Sequence, residues 1–96
     1  MLKNEIVNIG GRTLEGVKVD LPNAPVLMIT GEKGFVGCGY FKIEVADKFS
    51  HALAIVSGVR SFNDVLKGKV TAVSKKAAEF GITIGMSGAD ACKLLA

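Results

Sequence analysis

Ninety-six residues with a net charge of +3 are the length of one domain. Hydrophobic residues make up 49% of the chain and charged residues 22%, with a mean hydropathy of +0.40. A domain this small buries only about 65% of its unfolded surface, so the apolar surplus argues for self-association. No apolar run approaches the roughly 18 residues of a spanning helix. The start "MLKNEIVNIGG" also lacks the continuous apolar core of a signal peptide, so a cytoplasmic chain without a membrane partner is expected.

The first forty residues read as strands. "NEIVNI" (4–9) alternates, and Gly10-Gly11 supplies a two-residue hairpin turn. "TLEGVKVD" (13–20) places Thr13, Glu15, Val17 and Val19 on one face. Pro22, Asn23 and Pro25 end that strand, since proline donates nothing to a ladder. "VLMIT" (26–30) is apolar on both faces, "GEKG" (31–34) is a turn, and "FVGCGYF" (35–41) is the next strand. Two consecutive hairpins of one antiparallel sheet follow.

The second half mixes helices and strands. Val45, Ala46, Phe49, Ala52 and Leu53 recur at helical spacing across 43–53. "LAIVSGV" (53–59) suits a central strand. Ser61 and Asp64 form a capping box that opens a short helix with Phe62, Val65 and Leu66 inward. "VTAV" (70–73) fits strand and helix alike; a helix is placed over 74–80, with Gly81 as its C-cap. "ITIGM" (82–86) reads as a short strand. Ser87 and Asp90 cap a last helix over 88–95, with Ala91, Leu94 and Leu95 inward. This order predicts an α+β two-layer sandwich, an N-terminal antiparallel β region followed by mixed helices and strands. Residues 1–96 form a single domain, β-rich over 1–41 and α/β over 42–96. Helices cover one face of the sheet and a neighbouring copy covers the other.

The stretch "GFVGCGYF" (34–41) gives up side chains inside an apolar run. On an extended strand Phe35, Gly37, Gly39 and Phe41 share one face, so the two central glycines form a bare trough. Each glycine costs about 0.5–1 kcal/mol relative to alanine. Close approach of another backbone, a helix or a ligand would offset that cost. A phosphate loop fits less well. Lys42 stands where a dinucleotide fingerprint needs a small residue, and no G-x-x-x-x-G-K-[ST] occurs. Packing is the favoured reading, so Gly39→Val is expected to disturb folding or assembly and Cys38→Ser to be tolerated.

Cys38 and Cys92 form no CxxC pair, and with the single histidine, His51, they make no zinc constellation. No metal and no cofactor is expected, and both thiols should stay reduced. Cys38 is a nucleophile only if a base such as His51 generates its thiolate, with Lys42 or Arg60 favouring the anion. Between Val36 and Tyr40 it reads first as a buried, inert thiol. His51 at a helix C-terminus suits the dipole. Arg60 and Ser61 at a strand-to-helix junction, and Gly88 at the start of the last helix, are candidate anion contacts. Lys67, Lys69, Lys75 and Lys76 are the densest basic group. With one tyrosine and no tryptophan, they read as a solvated face rather than a nucleic-acid surface.

Three segments carry a family resemblance: "GFVGCGYFKIEVADKF" (34–49), "AIVSGVRSFNDVL" (54–66) and "AAEFGITIGMSGADA" (77–91). Together, in matching order over about residues 26–95, they resemble the YunC-like family of bacteria and archaea, a domain of unknown function (DUF 1805). Gly37 departs from the family, where a larger apolar residue such as Met is common, and Lys42 does so where a small polar residue such as Asn is usual. The resemblance implies a small α/β domain with an N-terminal β region that drives tetramerisation. It implies no reaction, cofactor or catalytic residue.

The expected function is therefore a non-catalytic homo-oligomeric module that binds a small ligand or a protein partner. Gly37, Gly39, Lys42, Arg60, Ser61 and Gly88 are its candidate ligand contacts. The alternative is a small cysteine-dependent enzyme using Cys38, with His51 as base and Arg60 holding an anionic substrate. Nucleic-acid binding ranks third.

Overall fold

Alternating apolar residues and tight turns fold the N-terminal part of the chain into a meander. In the computed structural model, which describes residues 2–96, β1 (Leu2–Ile9) and β2 (Arg12–Val19) pair antiparallel. They are joined by Gly10-Gly11, whose φ angles of 55° and 78° suit a type I′ turn. β3 (Val26–Thr30) and β4 (Phe35–Gly37) extend the ladder antiparallel. In the turn between them, Gly31 N–H donates to the Gly34 carbonyl at 2.8 Å. α1 (Ile43–Lys48) then crosses to β5 (Leu53–Ile55), which lies parallel to β4. After α2 (Phe62–Lys67), β6 (Ala72–Val73) returns antiparallel to β5. α3 (Lys75–Glu79) and α4 (Gly88–Leu95) complete the chain. The six strands form one sheet in chain order, and the fold is α+β.

Register decides which side chains meet. Val7, Leu14, Leu27, Ile29, Val36 and Ala54 fall on one face. All are buried, and Val65 of α2, Ala77 of α3 and Ala91, Cys92 and Leu95 of α4 close that face into the main core. The second face is divided. At its β4–β5 end, Ala46 of α1 packs against Leu53 and Ile55, with Phe35, Phe41, Ile43 and Ala72 around them. Over β1–β3, Ile6, Val17, Val19 and Met28 point to that same second face, and none of them is buried. Helices therefore lie on both faces of the sheet rather than on one.

Serine caps begin three helices: Ser61 and Ser87 as expected, and Ser74, placed from sequence as the first residue of its helix, as a third. Ser61, Ser74 and Ser87 accept from the N–H groups of Asp64, Ala77 and Asp90. Asp64 completes its box one residue early, accepting from Arg60 N–H at 3.1 Å.

Four expectations give way to tertiary pairing. "FVGCGYF" leaves the sheet after Gly37: Cys38 N–H still donates to the Leu27 carbonyl at 3.0 Å, but Leu27 N–H turns to Cys38 Sγ and the Cys38 carbonyl is taken by the turn. Gly39 and Tyr40 turn instead, and Phe41 N–H donates to the Cys38 carbonyl at 3.2 Å. The helix expected over 43–53 stops at Lys48. Ser50 adopts φ 57°, and Leu53 is drawn into parallel pairing with Phe35. Val45 and Phe49 are consequently exposed. "LAIVSGV" stays extended through Val56, whose N–H donates to the Gly37 carbonyl at 2.9 Å, and Gly58 at φ 74° turns it away. "ITIGM" is a turn, with Met86 N–H bonded to the Thr83 carbonyl at 3.2 Å and Ile84 exposed.

Candidate functional site

The turn after β4 folds Phe41 back over its own strand. Phe41 lies on Gly37, where an added Cβ would come within 2.5 Å of the ring. The ring also meets Phe35 edge to face, with centroids 5.4 Å apart at 72°. The glycine is thus a packing device, but the group it admits is the chain's own Phe41 and not another backbone. Gly39 is exposed, and a Cβ there would make only ordinary contact with Ser57 Oγ at 3.4 Å. The trough shrinks to one residue. Gly37→Val is expected to lower the unfolding free energy by about 2 kcal/mol through overpacking, and Gly39→Val by under about 1 kcal/mol. Paired urea titrations check this, and equal losses would contradict it.

The two phenylalanines floor a cleft of about 310 Å³, walled by Tyr40, Lys42, Val45, Ala46, His51 and Leu53. Tyr40 is 72% exposed and Val45 54% exposed, so its mouth is open and apolar. His51 stands at the rim with its backbone held on both sides. Its N–H donates to the Ala46 carbonyl at 2.8 Å, and its carbonyl accepts from Ser74 Oγ at 2.8 Å. Phe49 flanks the imidazole, with ring centroids 6.0 Å apart. A second cleft of about 350 Å³ shares Phe35 and His51 and runs past Thr30, Lys33, Ser50 and Lys76.

Of the candidates from sequence, Lys42 and His51 line the first cleft, and Gly37 packs against its Phe41. Cys38 does not join them. It is buried in the main core, and Sγ accepts from Leu27 N–H at 3.5 Å. His51 instead borders the cluster on the second face. Cys92 is buried too, and burial pushes its thiol up to about 12. Arg60 donates to the Asn23 carbonyl at 3.2 Å and lines a polar cleft of about 290 Å³ with Lys18 and Asp20. Ser61 lines another, of about 460 Å³, with Lys3, Lys18 and Asn63. Gly88 is buried against α2, and its N–H already donates to the Gly68 carbonyl at 2.9 Å. Among the described residues, no group of three or more His, Cys, Asp or Glu side chains could hold a metal.

Residues 37–95 match the family model described as "Domain of unknown function (DUF1805)", well over half of the chain. The chain belongs to this family. "Uncharacterized protein YunC" of Bacillus subtilis (strain 168) is 27% identical over 89 residues, 88% of each chain. The crystal structure of a protein of unknown function, TA1206 from Thermoplasma acidophilum, superposes with a TM-score of 0.94 at 34% identity. It covers 100% of this chain and 94% of its own. The DUF1805 match opens at Gly37, so it takes in the Phe41 turn, α1 and His51, while β1–β3 lie outside it.

No expectation from sequence includes Tyr40, Val45 or the Phe35–Phe41 pair as cleft residues, or the contact of Ser74 with Leu53 and His51. A signal was present. Four of the chain's six aromatic residues, Phe35, Tyr40, Phe41 and Phe49, lie within fifteen positions of one another. The contact of Ser74 with Leu53 and His51 gave none, because both stand more than twenty residues away.

Proposed function

We propose that this DUF1805 chain is a non-catalytic, self-associating cytoplasmic module, a tetramer formed through β1–β3, that binds a small ligand or a protein partner. The observation that carries the reading is the uncovered second face of β1–β3. Ile6 is 64% exposed there, beside half-buried Val17, Val19 and Met28. In a chain that is 49% hydrophobic, such a face is the surface another copy would cover. Among the described residues no helix is long and apolar enough to cross a membrane. Against a cysteine enzyme stands the placement of Cys38, sealed in the main core and separated from His51. A thiolate there would lack both solvent access and a base.

Light scattering behind size exclusion tests the assembly. The expected mass is about four times the 10.0 kDa of one chain. Ile6→Glu combined with Val17→Lys should give a folded species of single-chain mass, since both side chains project into solvent or the interface rather than the main core. A native chain that elutes as a monomer at every concentration would refute the proposal.

A further inference from the structure

Three lysines of this chain have carboxylate partners: Lys18 with Asp20, Lys76 with Glu79, Lys93 with Asp90. Lys42 is among the cations that have none, and it stands at an apolar cleft. Among the described residues no carboxylate lies within ion-pair distance of it, and the imidazole of His51 makes no hydrogen bond. Both line the Phe35–Phe41 cleft, and no Asp or Glu lines it with them. The remaining walls are apolar or aromatic.

The geometry points to a binding site for a small aromatic carboxylate. Its ring would lie against Phe35 and Phe41, and its anionic group would face Lys42 and His51. The inference rests on reading the chain as a ligand-binding module and supplies the ligand class. Three features favour that occupant. The volume, about 310 Å³, sits at the lower end of small-molecule sites, enough for one ring with a short acid arm and too little for a dinucleotide. An edge-to-face phenylalanine pair offers a third ring a ready aromatic surface. An unopposed ammonium beside an imidazole favours an anion and repels a cation. The site is also preformed. Gly37 fixes Phe41 from below, and Ser74 and Ala46 fix the backbone of His51.

The test is a set of NMR titrations of the full chain with phenylacetate, 2-phenylethanol and phenylethylammonium, probes of similar shape and different charge. Phenylacetate is expected to shift Tyr40, Phe41, Val45, His51 and Leu53 saturably. It should bind about tenfold more tightly than phenylethylammonium, the ratio that one charge-assisted contact supplies. Lys42→Gln should shrink that ratio to about threefold or less by removing the ammonium. Val45→Glu, at a 54% exposed position, should abolish phenylacetate binding with the fold intact. Equal affinity for all three probes, or shifts confined to other surfaces, would overturn the inference. So would cleft signals that move on protein dilution and ignore phenylacetate. That last result would assign the cleft to a neighbouring copy and leave self-association standing. Saturable phenylacetate binding by a chain that scatters as a monomer would do the reverse.

Discussion

Replacing Ser74 with alanine is expected to lower the unfolding free energy by about 3 kcal/mol and the melting temperature by about 15 °C. Ser74 is fully buried and its hydroxyl serves three elements at once. It accepts from Ala77 N–H at 3.2 Å as the cap of α3, and from Leu53 N–H at 2.9 Å at the start of β5. It donates to the His51 carbonyl at 2.8 Å. Loss of a cap alone costs about 1 kcal/mol. Leu53 N–H would also be left in a dry interior, at about 1–3 kcal/mol if unpaired, and the part-buried His51 carbonyl would lose its donor. Ser61→Ala and Ser87→Ala are the controls, because each removes only a cap and should cost about 1 kcal/mol. If Ser74→Ala melts with those two in urea, the hydroxyl is only a cap. The consequence reaches the cleft, since the same bond holds the rim residue His51.

Gly88→Ala is expected to destabilise the chain by about 3 kcal/mol, against the direction of helix propensity. Alanine inside a helix gains up to about 1 kcal/mol over glycine. Here, however, a Cβ would run into the Val65 carbonyl oxygen and lie 2.8 Å from its carbon. Both belong to the backbone of α2, which cannot rotate aside. α4 would have to lift from α2, loosening Val65, Ala91, Cys92 and Leu95 in the main core. Chemical denaturation of Gly88→Ala beside Ala89→Gly separates packing from propensity. A Gly88→Ala protein as stable as the native chain would show that the two helices are free to part. The residue offered from sequence as an anion contact is instead where two helix backbones touch.

Local chemistry was legible. Gly10-Gly11 set the first hairpin, the Pro22–Pro25 stretch ended β2, and Ser61 and Ser87 began two helices, all within a few residues of the groups they act on. What failed depended on distant partners. The stripe at Val45, Phe49 and Leu53 has helical spacing. Yet Leu53 gains more by pairing with β4 and bonding Ser74 than by extending α1. "FVGCGYF" alternates like a strand, but its ladder ends at Gly37 opposite Met28, where the chain turns and Phe41 N–H takes the Cys38 carbonyl. Gly37 and Gly39 are indistinguishable in sequence. Only the return of Phe41 makes one of them indispensable to packing and leaves the other on the surface.

Read alone, the amino acids determined the α+β class, the early hairpins, the caps and the surplus of apolar residues, because alternation, turn chemistry and composition act over a few residues or over none. Which face those residues share, that Cys38 is sealed away from His51, and that Lys42 and His51 look into one aromatic cleft were decided by the sheet. Its register, joining residues up to nineteen apart, sends each side chain to one face or the other, and no short window of sequence contains that choice.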